Sequence, residues 1–453
     1  MSIVVLTAVV VRLVAVVHFR SYDIPPERDH WDFGFEAGRI ARSLATGQGY
    51  SSAAMVGPTA PTGFLAPVFP FLLAGIFKMF GIYTAASAIA VYILDTLLSA
   101  LTCIALYGLG ARVFGSKIGL TAAFLFALYP SSIWYASGTI WDTTLLTCVL
   151  VVLMYCLYGL PLAPSPAELA RVGLLMGFVV LINPAPAVIY PVAVVWVWFR
   201  QLQSTANLRN SLRGAATVTL SCGLVCLPWM IRNAIMVGEF APRTSTGLQV
   251  RLGNNQGAWK SHNGNAFIAI YPGESVEEAK RLIELGEAGY DHYCARLGIE
   301  FIRQNPQKFL DLTWWRVRGW WFGNAADWTG NLKTSFRLAN LKRLMSISLT
   351  ALAAIGCVAA WRSRKPSGLL QGLIIVYPIP YYFLFVNERY RYPTDAFLLL
   401  FAACGLVGVL SVALRRVARA RDRRASTGLG NVHFVARDRC KPCASMLQCE
   451  RGK

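Results

Sequence analysis

Carboxylates in two distant stretches of the chain are the residues best placed to do chemistry. Asp29, Asp32 and Glu36 follow the first apolar segment, and Asp142 stands alone at the start of a later one. A carboxylate at the edge of a bilayer is costly unless it is solvated, paired or used. Such a group can act as a general base, bind a divalent cation, or simply be hydrated. The residues alone leave these alternatives open.

A basic motif, Glu388-Arg-Tyr-Arg-Tyr-Pro393, lies in a short connection between two later apolar segments. The guanidinium group is a planar fork that suits an anionic phosphate, so Arg389 and Arg391 are candidates for binding one. Partial neutralisation of these arginines by Glu388 is the structural alternative. Asp95, in the middle of an apolar segment, is interpreted as a hydrogen-bonded structural group.

The composition is that of an integral membrane protein. Of 453 residues, 55% are hydrophobic and 15% are charged, whereas a soluble domain has about 25% charged residues. The net charge of +20 could suggest a nucleic-acid partner. The basic residues, however, cluster beside apolar segments, as the positive-inside rule requires. We therefore expect the membrane as a partner and no nucleic acid.

Cysteines add little to this interpretation. Seven of the 11 lie in apolar stretches, where they act as small hydrophobic residues, and no extracellular disulfide framework is visible. Residues 2–19 are interpreted as a retained span and not as a signal peptide. The Cys440 and Cys443 pair in the tail could bind zinc, but a disordered basic tail is the preferred interpretation.

Apolar runs predict an all-α fold, a polytopic transmembrane helical bundle with outer juxtamembrane helices and a mostly helical outer segment. Compared with a hydrocarbon core about 30 Å thick, they give about ten spans. These lie near residues 2–19, 84–111, 118–136, 143–160, 168–184, 186–200, 213–232, 346–361, 368–386 and 395–414. Residues 65–81 are broken by prolines and are expected to form a re-entrant or interfacial helix.

Lysines and arginines in the short connections fall on one side if the N-terminus is cytoplasmic. The acidic first loop, the turn around Asp142, and residues 387–391 then face outward. The predicted divisions are a transmembrane catalytic core with the first outer loop at 1–232, an outer segment at 233–345, C-terminal spans at 346–414 and a basic cytoplasmic tail at 415–453.

Local patterns predict how the outer segments fold. The first loop is expected to form a short helix from Asp32, with Asp32 and Glu36 four residues apart on one face. The alternative for Asp142 is an N-terminal helix cap, which is compatible with catalysis. In the outer segment, Ser275 and Glu278 form a capping-box pattern that opens a helix to about residue 304.

A second helix of the outer segment is expected to follow Asn305 and Pro306 and to run through residues 313–322. Four tryptophans alternate there with Arg316 and Arg318. This pattern is typical of an interfacial belt with guanidinium groups near lipid phosphates. A groove for a lipid-linked phosphate is the more specific alternative.

The order of these motifs resembles a known group of membrane enzymes. An acidic first loop with Arg-Ile-Ala-Arg is followed by an apolar stretch ending Phe-Lys-Met-Phe-Gly, and then by Asp142. Pro228-Trp-Met-Ile-Arg-Asn233, Leu252-Gly-Asn-Asn255 and the motif at 388–393 follow. From residue 1 to about 415 the chain is similar to the GT-C glycosyltransferase superfamily. The branch is the one with protein O-mannosyltransferases and the aminoarabinose transferase of lipid A.

The resemblance implies an inverting sugar transfer from a polyprenyl-phosphate donor to a lipid, glycan or protein acceptor, outside the bacterial inner membrane. It implies that Asp32 or Glu36 is the general base or a metal-binding group, and that Asp142 is the second catalytic carboxylate. The family often has adjacent Asp and Glu residues in this loop, whereas Phe33 and Gly34 stand there in this chain. A divalent cation is one alternative for a cofactor.

The resemblance also implies the residues that hold the carrier phosphate. These correspond to Arg389 and Arg391, with Lys78 as a further basic candidate. Glu388 and Asp29 complete the predicted substrate-binding set. A transporter or flippase without covalent transfer is the alternative function. It predicts internal repeats, which the sequence does not show, and ionisable residues near the midplane, where only Asp95 and Arg12 lie. An assembly scaffold is the third hypothesis, and its outer carboxylates would be dispensable.

Overall fold

The computed structural model describes residues 1–24, 33–51, 60–205, 207–261, 264–323, 336–385 and 387–429. These residues are almost entirely helical, and the extended structure among them is an isolated bridge between Ser51 and Pro61. The predicted all-α class is therefore confirmed. Residues Met1–Leu406 form one compact unit and Val407–Lys453 form another. Every described residue of the candidate site lies in the first unit.

The described helices number nineteen in chain order, with one 3₁₀ helix at Ala185–Ile189. They are α1 (Ser2–Phe19), α2 (Glu36–Ala45), α3 (Val68–Phe80), α4 (Ala85–Val113), α5 (Ser116–Leu128), α6 (Pro130–Ser137), α7 (Thr143–Gly159), α8 (Pro166–Ile182), α9 (Tyr190–Thr205), α10 (Leu208–Val237), α11 (Thr246–Gly253), α12 (Gln256–Ser261), α13 (Gly264–Ile270), α14 (Val276–Gln304), α15 (Pro306–Phe322), α16 (Phe336–Arg362), α17 (Gly368–Val376), α18 (Ile379–Phe383) and α19 (Glu388–Leu429).

The apolar helices explain why the chain is a multi-pass membrane protein. Among the described residues, 6 helices are long and apolar enough to cross a membrane, or 7 if α5 and α6, bent by 53°, form one broken span. A straight span needs about 20 residues. The remaining predicted spans correspond to shorter helices, namely α7 and α8 with 17 residues each and the pair α17 and α18. The number ten stays a prediction.

The first-loop helix α2 starts later than the sequence predicts. Gly34 and Phe35 have φ angles of 78° and 52°, and a right-handed helix cannot continue through left-handed residues. The helix therefore begins at Glu36 and does not extend back to Asp32. The predicted helical face shared by Asp32 and Glu36 involves Asp32, which lies outside the described residues.

Two apolar cores hold α2 in place. Ala37 and Ala41 pack with Phe69 of α3 in one core. Ile40 packs in a second core with residues of the outer segment, among them Leu248. Because neighbouring faces of α2 are buried against different parts of the molecule, the position of its first turn is fixed.

The outer segment confirms both predicted helices but not their polar contacts. Ser275 Oγ accepts a hydrogen bond from the Glu278 backbone N–H at 3.4 Å, but the Glu278 carboxylate turns to Arg251 and leaves the capping box half formed. In α15, Arg316 is buried and donates to the Gly253 carbonyl. The predicted contact of Arg316 with lipid phosphate is therefore wrong. Trp320 is also buried and belongs to the apolar core.

Candidate active site

A cavity of about 860 Å³ lies where the first loop, the start of α7, the outer segment and the start of α19 meet. Its wall carries acidic, basic and aromatic side chains in close succession. The charged residues in its lining are Arg20, Asp23, Glu36, Asp142, Arg243, Lys342, Glu388 and Arg389. Charges in a partly enclosed space interact more strongly than in water, so this cavity is the candidate active site.

The cavity gathers predicted residues from three distant parts of the chain. Glu36 is the first residue of α2, Asp142 is the N-cap residue of α7, and Arg389 lies in the first turn of α19. All three line the cavity. Asp29 and Asp32 lie outside the described residues. The structure thus brings together Glu36 from the first predicted outer loop and Asp142 from the second, and their chemical roles stay predictions.

Asp142 is oriented by a side chain from another helix. Its side chain makes no hydrogen bond to the N-terminal turn of α7, so the capping interpretation is wrong. Instead Asp142 Oδ2 accepts a hydrogen bond from Asn183 Nδ2 at 2.9 Å. Asn183 Oδ1 in turn accepts one from the Ala185 N–H at 3.1 Å, which fixes the amide. A carboxylate held in this way keeps acceptor capacity for a ligand.

Arg389 is held by aromatic rings. Its Cζ atom lies 3.9 Å from the ring centroid of Trp141, and its Nη2 donates to the Tyr390 hydroxyl at 3.3 Å. The charges of Asp142 and Glu36 both act on its guanidinium group. Among the described residues no carboxylate lies within ion-pair distance of it. Arg389 is therefore a cation in the cavity whose charge can still meet an anion.

Arg391 lies elsewhere, because the predicted short turn is the first turn of a helix. Residues two apart on an α-helix point about 200° away from each other. Arg391 Nε donates to Asp395 Oδ1 at 3.0 Å, and both side chains are buried. Arg391 does not line the cavity, and its charge is neutralised within α19. Its predicted phosphate contact is not supported by this geometry.

Of the other predicted binding residues that the structure describes, Glu388 lines the cavity and Lys78 does not. Glu388 lines the cavity, and one of its carboxylate oxygens lies 3.8 Å from Lys342 Nζ. Lys78 is exposed in the last turn of α3 and does not belong to the cavity lining. Arg389 and Glu388 are therefore the predicted substrate-binding residues that the cavity gathers.

Sequence reasoning missed several residues of the site. Asn183 follows an apolar run in Asn-Pro-Ala-Pro, in the connection between two predicted spans. An amide at the outer end of a predicted span, on the same side as Asp142, was the available signal. Arg243 and Lys342 line the cavity from the outer segment and from α16, and no motif marks either of them.

Glu287 of α14 links the first loop to the outer segment by hydrogen bonds. Its carboxylate accepts hydrogen bonds from the Gly63 N–H at 2.8 Å and from the hydroxyls of Thr62 and Thr244. Desolvation raises the pKa of Glu287, although these hydrogen bonds and the charge of Arg232 act in the opposite direction. The contacts fix the residues that precede Leu65 and Ala66, which line the cavity.

Within the described ranges, no group of three or more His, Cys, Asp or Glu side chains is placed to hold a metal ion.

Comparison with known proteins agrees with the architecture. The family model for dolichyl-phosphate-mannose-protein mannosyltransferase matches residues 64–231. No curated protein matches the chain. Among solved structures, the apo oligosaccharyltransferase of Archaeoglobus fulgidus is similar, with 17% identity, a TM-score of 0.51, and coverage of 92% of this chain and 51% of that one.

Two further structures resemble the chain less well. Oligosaccharyltransferase AglB from Archaeoglobus fulgidus, in complex with an inhibitory peptide and a dolichol-phosphate, has 15% identity and a TM-score of 0.49, and covers 97% of this chain and 52% of its own. ArnT from Cupriavidus metallidurans, bound to undecaprenyl phosphate, has 13% identity and a TM-score of 0.38, with coverage of 88% and 77%.

The resemblance to the GT-C glycosyltransferase superfamily that the motifs predict is confirmed at the level of fold. The chain spans about half the length of the archaeal oligosaccharyltransferases that it matches. The family match at 64–231 includes Asp142 and Asn183 but neither Glu36 nor Arg389. The chain is a polytopic membrane protein with a GT-C fold.

Proposed function

We propose that the protein is an integral membrane glycosyltransferase. It transfers a sugar from a polyprenyl-phosphate-linked donor to a lipid, glycan or protein acceptor, with inversion at the anomeric carbon. The observation that carries the proposal is the meeting of Glu36, Asp142 and Arg389 in one cavity. The mannosyltransferase family match and the GT-C fold support the same class of reaction.

The proposed location is the bacterial inner membrane, with the cavity open to the outside. The basic connections support this orientation, because Arg112 and Lys117 flank one turn and Arg362 and Lys365 flank another. Positively charged connections stay on the cytoplasmic side. The cavity residues belong to the segments that the same count puts on the opposite side.

The reaction needs a base, an electrophile and a stabilised leaving group. A deprotonated carboxylate, from Asp32, Glu36 or Asp142, takes the proton of the acceptor hydroxyl or amine as that atom attacks the anomeric carbon. The bond from the anomeric carbon to the phosphate oxygen breaks, and its electron pair leaves with the carrier phosphate. Arg389 meets the negative charge that develops on that phosphate.

The protein contributes preorganised geometry to this reaction. Asn183 holds Asp142, and the two apolar cores around α2 hold Glu36. Charged groups that are already oriented do not need to reorganise during the reaction, and this lowers the barrier. The donor is already activated as a phosphate ester, so the mechanism needs no free nucleotide.

Single substitutions of the carboxylates test the proposal. Asp32→Asn, Glu36→Gln and Asp142→Asn are assayed for transfer from a synthetic polyprenyl-phosphate sugar, and loss of the base is expected to lower the rate by about 10²–10⁴-fold. Asp23→Asn is the control, since Asp23 lines the same cavity but is exposed and paired with Arg20 at 2.7 Å. Near-native rates in all three variants reject the mechanism. Movement of the carrier lipid across the membrane without covalent transfer supports the transporter alternative.

A further inference from the structure

The ring of Trp141 connects the three chain segments that carry Glu36, Asp142 and Arg389. Trp141 directly precedes Asp142 in the chain. Its ring stacks on Phe35, the residue before Glu36, with centroids 5.6 Å apart and planes inclined by 23°. Its ring centroid also lies 3.9 Å from Cζ of Arg389. One aromatic side chain therefore contacts both Arg389 and Phe35, and it belongs to the residue that precedes Asp142.

The backbone around Phe35 shows how closely the first loop approaches Trp141. Phe35 has a φ of 52°, a conformation that a bulky side chain rarely adopts. A Cβ atom on Gly34 would lie 2.8 Å from the carbonyl oxygen of Ile140, the residue before Trp141. Such a conformation persists only where the surroundings fix it, and it is common at functional sites. The Phe35–Trp141 stack is a contact that fixes it.

The contact with Trp141 determines which part of the Arg389 guanidinium stays available. A ring that packs on the face of a guanidinium leaves its in-plane N–H donors free to bind a phosphate in a bidentate manner. An ion pair has the opposite effect, as Asp395 shows by accepting from Nε of Arg391. Tryptophan gives the strongest cation–π interaction of the aromatic residues. Trp141 can therefore orient the cation without occupying its donors.

We propose that Trp141 is a positioning residue that orients Arg389 toward the phosphate of the carrier lipid. The same ring aligns the first loop with the start of α7. Trp141 acts through Arg389 and does not itself touch the reacting atoms. This inference rests on the proposed function, because it takes the phosphate of a polyprenyl carrier as the ligand of Arg389.

A double-mutant cycle on the full-length protein in detergent tests the inference, with undecaprenyl phosphate as the binding probe. Trp141→Leu is expected to weaken binding by about tenfold, the size of a desolvated cation–π contact. Arg389→Gln removes the charged contact with the phosphate itself and is expected to weaken binding at least as much. If Trp141 acts through Arg389, adding W141L to R389Q weakens binding by less than about twofold more. Trp141→Phe keeps a ring and is expected to restore part of the affinity.

Trp134 provides the matched control. It lines the same cavity and packs edge-on against Phe19 at 5.9 Å, a partner that carries no charge. Trp134→Leu is expected to change binding by the same factor whether residue 389 is Arg or Gln. A structural role for Trp141 gives that additive result for W141L as well, and it overturns the inference.

The experiment separates this inference from the proposed function. If the wild-type protein binds undecaprenyl phosphate and R389Q binds it less well, but W141L binds it normally, only the role of Trp141 is wrong. If the wild-type protein neither binds the probe nor transfers sugar, the proposed function is wrong and the inference fails with it. Equal melting temperatures of W141F and wild type show that the fold is intact.

Discussion

Two clusters of charged residues in this molecule are built in opposite ways. In the outer segment, the Glu278 carboxylate accepts from Arg251 at 2.6 and 3.0 Å, from Arg281 at 2.8 Å and from the Tyr290 hydroxyl at 2.7 Å. In the cavity, Asp142 accepts from the amide of Asn183 at 2.9 Å. In the first cluster, the carboxylate of Glu278 accepts its hydrogen bonds from other residues of the chain. In the second, the carboxylate of Asp142 can still accept hydrogen bonds from a ligand.

This difference distinguishes a functional charge from a structural one in a membrane protein. A buried charge that is paired with an opposite charge of the chain is a structural group, because its charge is already neutralised. Arg391 and Arg389 show the same contrast two residues apart in α19. Arg391 is paired with Asp395, whereas Arg389 contacts the Trp141 ring. The sequence alone predicts a phosphate contact for both arginines.

Removal of the central carboxylate of the outer cluster should have the largest effect on stability. Glu278→Ala leaves the Arg251 guanidinium, whose side chain is 12% exposed, without its ion-pair partner, which is expected to cost about 3 kcal/mol. Thermal unfolding in detergent measures the loss, and the transfer rate per folded molecule should not change. Glu277→Ala is the control, because Glu277 is 79% exposed and pairs with Arg281 at the surface. Surface ion pairs contribute about 0–1 kcal/mol. Equal losses in both variants contradict the structural role of Glu278.

The two arginines of α19 should separate activity from stability. Arg389→Gln removes the cation that faces the leaving phosphate, and kcat/KM is expected to fall by about 10²–10³-fold at an unchanged melting temperature. Arg391→Gln breaks the buried pair with Asp395 and should lower the melting temperature while the rate per folded molecule changes little. A larger loss of rate in R391Q than in R389Q would show that the wrong arginine has been assigned.

The apolar helices of the bundle are predictable from the sequence, because the bilayer imposes their length and composition. Residues 143–160 were predicted and α7 spans Thr143–Gly159. The start of α2 was not predictable. It depends on the approach of Gly34 to Ile140, a contact between residues about a hundred positions apart. No local propensity in the first loop carries that information.

The site was predictable in part for a similar reason. Glu36 and Asp142 stand out because carboxylates are costly at a membrane surface. The choice between Arg389 and Arg391 depends on where α19 begins, whereas the sequence predicts only a short connection between two apolar segments at these residues. Asn183 lies far from Asp142 in sequence, and only the packing of α8 beside α7 brings them together.

The hydrogen bond between Asn183 and Asp142 can be removed to test how much the orientation of Asp142 contributes to activity. Asn183→Leu keeps the side-chain size but removes the donor, so Asp142 loses its orientation. A hydrogen bond to a charged group contributes about 1.5–3 kcal/mol, which corresponds to a loss of about 10–100-fold in kcat/KM. Asn207→Leu is the control, since Asn207 caps the start of α10 and does not line the cavity. An unchanged kcat/KM in N183L shows that Asp142 needs no orienting partner.

The smallest expected effect is a pH dependence of opposite sign in two glutamates of α14. Burial would raise the pKa of Glu278, but hydrogen bonds from Arg251 and Tyr290 and the charges of Arg251 and Arg281 lower it. A lowered pKa in the folded state stabilises the fold above the unfolded pKa of about 4.3, and this contribution is lost as the pH falls below it.

Desolvation raises the pKa of Glu287 instead. Its protonated form is favoured in the folded state, so stability is lost as the pH rises through about 4.3 toward the raised value. Thermal unfolding of wild type, Glu278→Gln and Glu287→Gln between about pH 3 and pH 7 measures the sign of each pH dependence. Relative to wild type, E287Q should gain stability as the pH rises above about 4.3, and E278Q should lose stability as the pH rises through about 4.3. Parallel curves for the two variants contradict the contrast between a paired carboxylate and a desolvated one.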